Sequence, residues 1–329
     1  MLTKAVGSGG FTYEVAESWE RLPPGWEHAD VADVAVDSRD RVFVLNRGDH
    51  PVIMYEPDGT FIGAWGEGFF TKPHGITIGP DDSVYCVDDG AHALYKFTLD
   101  GKLLLTLGTP GAACDNGYVF GEYLSIKFGG PPFNRPTAVA VAPNGDLYVS
   151  DGYGNARMHC FSPTGDLKFS WGEPGSGPGQ FHIPHAVRLA TGHRLLVADR
   201  ENSRIQVFDL EGKYLDEWAD TCRPDGVAID HEGNVYVCDL GLRAGRYSFM
   251  PAPTEDDPPS RVSVFSSKGS LLSRWGSDDP CVPGSFFAAH GIAVDSRGDL
   301  YVVEVNYSAG GKAGLIPIDC HTVQKFIRS

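Results

Sequence analysis

Three histidines recur at one position of a repeated segment, and they are the residues of this chain best suited to chemistry. The segment occurs six times, beginning near residues 31, 72, 135, 183, 223 and 288. Its third residue is His74, His185 and His290 in the second, fourth and sixth copies. If the six copies form a closed ring, the three imidazoles face one axis. Three imidazoles that leave a coordination position open are typical of catalytic zinc, and other first-row metals bind similar sites.

The same position of the fifth copy is occupied by Asp225. A carboxylate there is a candidate fourth metal ligand or a hydrogen-bond partner of a ligand. The alternative is an aspartate bonded to its own turn or to solvent.

A second group of candidates lies where the second strand of a copy ends. Arg47 and Arg200 hold matching places in the first and fourth copies, half a ring apart. A guanidinium binds both oxygens of a carboxylate, so the pair predicts a small-molecule substrate that carries one. Alternatively, each arginine pairs with a neighbouring acid, Asp49 or Glu201. Tyr153 of the third copy is a candidate base, because a metal and an arginine nearby favour its phenolate; otherwise it is a packing residue.

Each copy reads as four short strands. The first is an alternating run such as GITI or GIAV, and the second is a run such as VFVLN or LYVSD. A third strand leads to a glycine turn, for example at residues 57–59 and 99–101, and a fourth strand ends in Trp-Gly or Leu-Gly. Four strands per unit, at a period of about forty residues, predict a propeller blade.

Six such units predict an all-β fold, a six-bladed β-propeller that spans residues 1–329 as a single domain. The last copy stops after its third strand, near Phe326. The segment Phe11–Arg21 resembles the other fourth strands, so we expect it to complete the sixth blade and close the ring, which removes exposed sheet edges. A solenoid is the alternative architecture, but it requires capping repeats, and none is recognisable in the chain.

Three connections are longer than the repeat requires, at residues 109–134, 240–260 and 306–321. In a propeller, connections of these kinds open on the face where the first strands begin, which is the face of the histidines. Loops longer than about fifteen residues inside a compact fold are commonly functional. We therefore expect these loops to shape the pocket on the histidine face.

Composition excludes some partners and indicates a compartment. The net charge of −16 argues against nucleic acid or an anionic membrane as the main partner, since both require a basic surface. The chain begins without a charged and apolar leader, and no window reaches membrane-spanning length. Seven cysteines are present without a CxxC pair, and several lie in strand patterns, which favours a reducing cytoplasm. The oligomeric state is left open.

Several segments resemble a known enzyme family. The repeats are similar to NHL repeats, and the segments RGDH at 47, KPHG at 72, SDGYGNAR at 150, IPHA at 183 and ADRENSRIQVF at 198 resemble peptidyl-α-hydroxyglycine α-amidating lyase. The resemblance is specific between residues 31 and 208 and looser to the C-terminus, through AAHG at 288. It implies a six-bladed propeller that splits an α-hydroxyglycine amide into a peptide amide and glyoxylate.

The resemblance also assigns roles to residues. It implies that His74, His185 and His290 hold zinc, that Tyr153 and Arg47 attend the reacting hydroxyl, and that Arg200 is a further arginine of the active face. Gly291 stands where the family has an aspartate that binds a structural calcium ion. The binding of this structural calcium ion is therefore doubtful from the sequence, although Asp33 or Asp225 offers a replacement carboxylate.

The family's disulfide cysteines are also missing, because Gly154, Leu196 and Val207 stand in their places. The leading hypothesis is a zinc-dependent lyase that acts on a small α-hydroxy acid or an α-hydroxyglycine-amide-type substrate. One alternative is a metal-dependent hydrolase or hydratase that uses zinc-bound water. Another is a non-catalytic NHL interaction propeller, and a calcium-dependent lactonase propeller is a further option that the histidines do not favour.

Overall fold

The computed structural model describes residues 5–242, 250–251 and 254–329. In these residues the chain folds into six antiparallel sheets, five of four strands and one of five. Each copy of the repeat forms one sheet, and the sheets are the six blades of a β-propeller, which confirms the predicted fold. No helix of the described ranges has the length and apolar character needed to cross a bilayer.

The chain divides into two compact units. Of the described residues, the first unit comprises 5–68, 225–242 and 257–329, and the second comprises 69–224, 250–251 and 254–256. The single domain over residues 1–329 stays a prediction.

The second unit contains the second, third and fourth blades. The strands of the second blade are β7 (Pro73–Ile78), β8 (Val84–Asp88), β9 (Ala93–Phe97) and β10 (Leu103–Leu107). Those of the third are β11 (Pro136–Val141), β12 (Leu147–Asp151), β13 (Arg157–Phe161) and β14 (Leu167–Trp171). Those of the fourth are β15 (Pro184–Ala190), β16 (Arg194–Asp199), β17 (Arg204–Phe208) and β18 (Tyr214–Trp218). The innermost strands β7, β11 and β15 pack side by side in that order.

The first unit contains the first, fifth and sixth blades. The strands of the first blade are β3 (Val31–Val36), β4 (Val42–Asn46), β5 (Val52–Tyr55) and β6 (Phe61–Trp65). Those of the fifth are β19 (Pro224–Ile229), β20 (Val235–Asp239), β21 (Arg261–Phe265) and β22 (Leu271–Trp275). Those of the sixth are β23 (Ala289–Val294), β24 (Leu300–Glu304) and β25 (Val323–Arg328), joined by β1 (Ala5–Ser8) and β2 (Phe11–Ala16).

The sixth blade is completed by the N-terminal segment, as predicted. Strand β2 pairs antiparallel with β25, and β1 adds a fifth strand that the sequence did not predict. The strand ends at Ala16 rather than at Arg21, because Trp19 turns into the core. The Trp19 ring packs against Tyr55 and Tyr301, and its indole N–H donates to the Pro57 carbonyl at 2.9 Å.

Burial follows the position of a strand in its blade. Second strands such as β4, β8 and β12 are buried along their whole length, whereas outer strands such as β10 are largely exposed. The predicted glycine turns lie between the third and fourth strands. At Gly59 the backbone has φ of 84°, and a Cβ atom there would lie 1.8 Å from the Trp19 carbonyl oxygen, so only glycine fits.

The first and third of the long connections contain little regular structure. The first includes a 3₁₀ turn at Tyr123–Ser125, and the third includes a helix at Asn306–Ala309 and a 3₁₀ turn at Gly311–Ala313. A further 3₁₀ turn, Arg200–Asn202, follows β16. Much of the predicted connection 240–260, at residues 243–249 and 252–253, lies outside the described residues.

A disulfide that the sequence analysis did not foresee joins Cys281 to Cys320. It ties the segment before β23 to the connection 306–321. The other cysteines, at positions 86, 114, 160, 222 and 238, are free thiols. The cytoplasmic location stays a prediction, and the disulfide gives a direct way to test it, because such bonds persist mainly in oxidising compartments.

Candidate metal centre

Each of the three histidines is the extra residue of a β-bulge. Residues 73 and 75 pair with the adjacent residues 88 and 87, which leaves His74 without an opposite residue. The same shift isolates His185 between residues 184 and 186 and His290 between residues 289 and 291. A bulge re-aims the side chain of its extra residue. The repeat therefore places the imidazoles through a break in strand pairing.

In each histidine-bearing blade, the acid at the end of the second strand accepts hydrogen bonds from the backbone just before the bulge. Asp88, Asp199 and Glu304 end β8, β16 and β24, and they accept hydrogen bonds at 2.7–3.1 Å from backbone amides two or three residues before the histidine of the same blade. These acids are fully buried. Burial raises the pKa of Asp199 to about 6, although hydrogen bonds from Asn202 and Arg204 oppose the shift.

Two of the histidines have a fixed tautomer. Nδ1 of His74 donates to the Thr137 carbonyl oxygen at 2.8 Å, and Nδ1 of His290 donates to the Ala32 carbonyl oxygen at 2.6 Å. Thr137 and Ala32 hold the third position of the following copy. Copies without a histidine thus supply the carbonyl that orients the imidazole of the preceding copy, and the neutral ring keeps a lone pair on Nε2.

Glycine after the histidine makes this contact possible. A Cβ atom on Gly75 would lie 2.5 Å from the Thr137 oxygen that accepts the His74 hydrogen bond. The first strands of neighbouring blades can approach this closely only without a side chain at residue 75.

Tyr153 lies between two of the histidines. Its hydroxyl oxygen is 3.0 Å from Nε2 of His74 and 2.9 Å from Nε2 of His185, and the side chain is buried. Nη1 of Arg200 reaches the same oxygen at 3.4 Å. The second unit thus brings together four predicted site residues around one phenol oxygen.

Arg200 contacts both a neighbouring acid and Tyr153, and its role toward a substrate stays a prediction. Its Nε donates to Glu201 at 3.0 Å, as the pairing alternative predicts, while Nη1 points to Tyr153. The other carboxylate oxygen of Glu201 accepts from Arg223. The Glu201 side chain is almost fully buried and bonded to both arginines, and it therefore fixes the direction of Arg200.

A basic cluster that was not predicted from the sequence lies beside Tyr153. The guanidinium carbon of Arg135 lies 5.1 Å from the centre of the Tyr153 ring, and Nζ of Lys72 lies 5.8 Å from it. Both cations pair with buried Asp89, at 2.8 Å and 3.1 Å. The sequence did contain a signal for this cluster. A basic residue begins three copies of the repeat, directly before the proline: Lys72, Arg135 and Arg223.

The three predicted metal ligands, His74, His185 and His290, are all buried. His74 and His185 lie in the second unit with ring centroids 4.8 Å apart, and His290 lies in the first unit. A metal site that joins all three stays a prediction. The donor set of three imidazoles fits a first-row metal such as zinc, and the Thr137 and Ala32 carbonyls orient His74 and His290 through Nδ1.

Arg47 and Asp225 are placed in the first unit. Arg47 lies 3.6 Å from Asp30, an acid that the sequence analysis did not consider. Asp225 is buried and interacts electrostatically with the thiol of Cys238, whose pKa is raised well above its usual value by burial first and by Asp225 second. The roles of both residues stay predictions.

Gly291 stands where the resemblance places a calcium-binding aspartate, and its surroundings leave no space for a side chain. A Cβ atom at position 291 would lie 2.6 Å from a carboxylate oxygen of Asp33 and 2.7 Å from the Asp33 Cα. An aspartate therefore has no room at this position, and Asp33 instead accepts a hydrogen bond from the Val34 amide at 2.9 Å.

Comparison with known proteins agrees with this architecture. The NHL repeat family matches residues 133–161 and 181–208. Human NHL repeat-containing protein 3 is 32% identical over 322 residues, covering 90% of this chain and 85% of the human protein. Peptidyl-alpha-hydroxyglycine alpha-amidating lyase 1 of Drosophila melanogaster is 40% identical over 271 residues, covering 74% of this chain but 44% of that relative.

A solved structure supports the fold alone. A gluconolactonase from Xanthomonas campestris superimposes with a TM-score of 0.60 at 14% identity, covering 99% of this chain and 98% of the enzyme. The chain belongs to the family of NHL repeat-containing protein 3, and it is homologous to the peptidyl-α-hydroxyglycine α-amidating lyases.

Proposed function

We propose that the chain is a metal-dependent lyase that cleaves the C–N bond of a small α-hydroxyglycine-amide-type substrate. The products are an amide and glyoxylate or a related oxo acid. The proposal places the reaction at His74, His185 and His290, with zinc as the resident metal. The homology to amidating lyases supports the reaction class.

The observation that carries the proposal is the position of the Tyr153 hydroxyl. It lies within hydrogen-bond distance of Nε2 of both His74 and His185. A phenol buried among metal-ligand candidates is within reach of a substrate hydroxyl held at the same place. A propeller that served only as a binding module would have no need of this arrangement.

The three imidazoles would hold the metal through nitrogen, and the Thr137 and Ala32 carbonyls would keep two of them in the ligating tautomer. When bound, zinc supplies a Lewis acid that favours loss of a proton from a hydroxyl group. The protein's part is to place the base, to bind the carboxylate and to exclude water.

In this proposal Tyr153, as phenolate, takes the proton of the substrate hydroxyl. The oxygen's electron pair then forms the C=O bond, the C–N bond breaks, and its electrons stay on nitrogen. The nitrogen receives the proton back from the Tyr153 phenol to become the amide. Arg200, held by Glu201, binds the substrate carboxylate next to Tyr153. Arg47 is proposed as a second cation for the developing charge.

The proposed binding partner is a small carboxylate-bearing substrate. Binding to nucleic acid or to a membrane is not part of the proposal. A cytoplasmic location is part of the proposal. Cleavage of a freely diffusing metabolite is compatible with that compartment.

The test is incubation of the zinc-loaded protein with an N-acyl-α-hydroxyglycine, measuring glyoxylate and amide together. We expect both products in equal amounts from the parent and neither, above the spontaneous rate, from His185→Ala, with circular dichroism showing that the variant is folded. Release of a carboxylic acid in place of the amide would identify a hydrolase. A parent that releases no product would contradict the lyase proposal.

A further inference from the structure

The connection 109–134 presents an exposed aromatic ring near Tyr153. Phe120 is 80% exposed, the most of any large apolar residue in the described part of the chain. Its ring nevertheless lies in a defined place, with the Arg135 guanidinium carbon 5.0 Å from the ring centre. The same guanidinium lies 5.1 Å from the centre of the Tyr153 ring. Arg135 thus lies against both aromatic rings.

Two buried anchors fix the segment that carries Phe120. On one side, Asn116 is fully buried and donates to the Gly154 carbonyl at 2.9 Å, one residue after Tyr153. On the other side, Tyr123 is buried and its hydroxyl accepts from the Ile183 amide at 2.9 Å, two residues before His185.

The turn between the anchors is also bonded internally. The Glu122 amide donates to the Val119 carbonyl at 2.9 Å, and the Gly121 amide donates to the Tyr118 hydroxyl at 3.1 Å. The Tyr118 hydroxyl accepts from Arg135 as well, at 3.3 Å. Phe120 is therefore held out by a structured turn.

Arg135 is itself fixed, so the position of Phe120 is set relative to the site. Asp89 accepts from Nε and Nη2 of Arg135 at 3.3 Å and 2.8 Å, and Asp89 is fully buried. A cation over an aromatic face contributes attraction in addition to apolar contact. The arrangement keeps an apolar surface beside the cations that line the site.

We propose that Phe120 is a specificity-determining residue that contacts an apolar group on the acyl side of the substrate. This inference rests on the proposed lyase function. The substrate has a charged end, the carboxylate, for which Arg200 is suited, and a variable end, the acyl group on nitrogen. An exposed phenyl ring cannot bind the carboxylate, but it favours an aromatic or branched aliphatic acyl group. The preferred substrate class is accordingly an N-acyl-α-hydroxyglycine with a bulky apolar acyl group.

The experiment compares two substrates and three proteins. N-benzoyl-α-hydroxyglycine and N-acetyl-α-hydroxyglycine are assayed with the parent, with Phe120→Ala and with the matched control Phe128→Ala. Phe128 lies on the same connection and is 51% exposed. Calorimetric titration with N-benzoylglycine and N-acetylglycine, which lack the reacting hydroxyl, measures binding without turnover.

We expect the parent and Phe128→Ala to favour the benzoyl substrate by about tenfold in kcat/KM, the effect of a modest apolar contact. Phe120→Ala should lose this preference through KM, with kcat unchanged and the acetyl substrate unaffected. An unchanged preference in Phe120→Ala would overturn the inference while leaving the lyase function in place. If no protein cleaves either substrate, the lyase proposal fails, and the ratio of the two dissociation constants still decides whether Phe120 selects the benzoyl group.

Discussion

The first strands of the blades and the connection 109–134 both reach Tyr153, but their contacts differ in kind. The first strands bring His74 and His185 to the phenol oxygen through a bulge that recurs in each histidine-bearing blade. The connection contacts the backbone at Gly154 and presents Phe120 through Arg135. The bulge recurs in all three histidine-bearing blades, whereas the connection 109–134 occurs once in the chain.

This difference separates two tasks. A bulge and a buried acid at the end of the second strand recur at all three histidines, and a carbonyl from the next copy orients His74 and His290. The connection can vary more than the strands, because its exposed residues lie outside the blade sheets. We infer that the repeat determines the reaction and that the connection determines which substrate is accepted. The two regions are therefore separable by mutation.

The largest effect is expected at the meeting point of the two regions. Tyr153→Phe removes the hydroxyl shared by His74 and His185 and should lower kcat by about 10²–10⁴-fold, the usual contribution of a positioned acid or base. Metal content should not change. Steady-state kinetics with elemental analysis checks both statements, with Tyr214→Phe on the outer strand β18 as the control. Equal kcat in Tyr153→Phe and the parent would remove Tyr153 from the mechanism.

A change confined to the repeat should affect the metal and spare the connection. Gly75→Ala places a Cβ atom 2.5 Å from the Thr137 oxygen that orients His74. Loss of an orienting contact of this kind typically costs about 10–100-fold in metal affinity. Competition with a zinc chelator measures the effect.

Gly63→Ala is the matched control for this substitution, because a Cβ atom there meets only the flexible end of Met54, at 3.4 Å. Equal affinity for zinc in Gly75→Ala and Gly63→Ala would show that the close approach of β7 to β11 does not orient His74.

Features that belong to the repeat could be predicted from the sequence, whereas features that depend on strand register or on the connection 109–134 could not. The histidine positions, the blades and the closing strand were predictable, since a repeat converts sequence position into equivalent places in the fold. The bulge was not, because it depends on the register between two strands. The basic cluster of Lys72 and Arg135 was missed because its partner, Asp89, follows a different strand. The turn that presents Phe120 has no counterpart in the other copies, so no pattern indicated it.

The connection 306–321 offers a second test of separability. Cys281→Ser removes the disulfide to Cys320, which closes a loop with a sequence separation of 39. Such a bond typically contributes roughly 2–4 kcal/mol to the free energy of unfolding. Chemical denaturation should show this loss while zinc content stays at the parent value.

Cys222→Ser, which changes a free thiol, should leave stability near the parent value. Mass spectrometry of alkylated protein from the native source tests the proposed compartment, since seven free thiols would favour the cytoplasm and five would favour an oxidising environment.

The smallest effect is expected from a titrating group in that connection. Burial opposes the charged form of His321, but its contacts with Glu304 and the Ser285 carbonyl outweigh this, and the pKa of His321 is raised above 6.5. A raised pKa means that the folded protein binds the proton more tightly, so the stabilisation is complete below pH 6.5 and is lost as pH rises through the folded pKa.

The expected loss is at most about 1 kcal/mol, the range for an ion pair near the surface. Unfolding measured from pH 6 to pH 8.5 should show this slope in the parent and a smaller slope in His321→Gln. Identical slopes would show that the Glu304 pair adds no stability.

The central claim is that one repeated position supplies the metal site, and metal content tests it most directly. Elemental analysis of untagged protein, purified without added metal, should find about one equivalent of zinc in the parent and in the exposed-loop control His193→Ala. Each of His74→Ala, His185→Ala and His290→Ala should contain almost none while remaining folded. A parent that takes up no zinc, manganese or iron, or three variants that all retain the metal, would contradict the account.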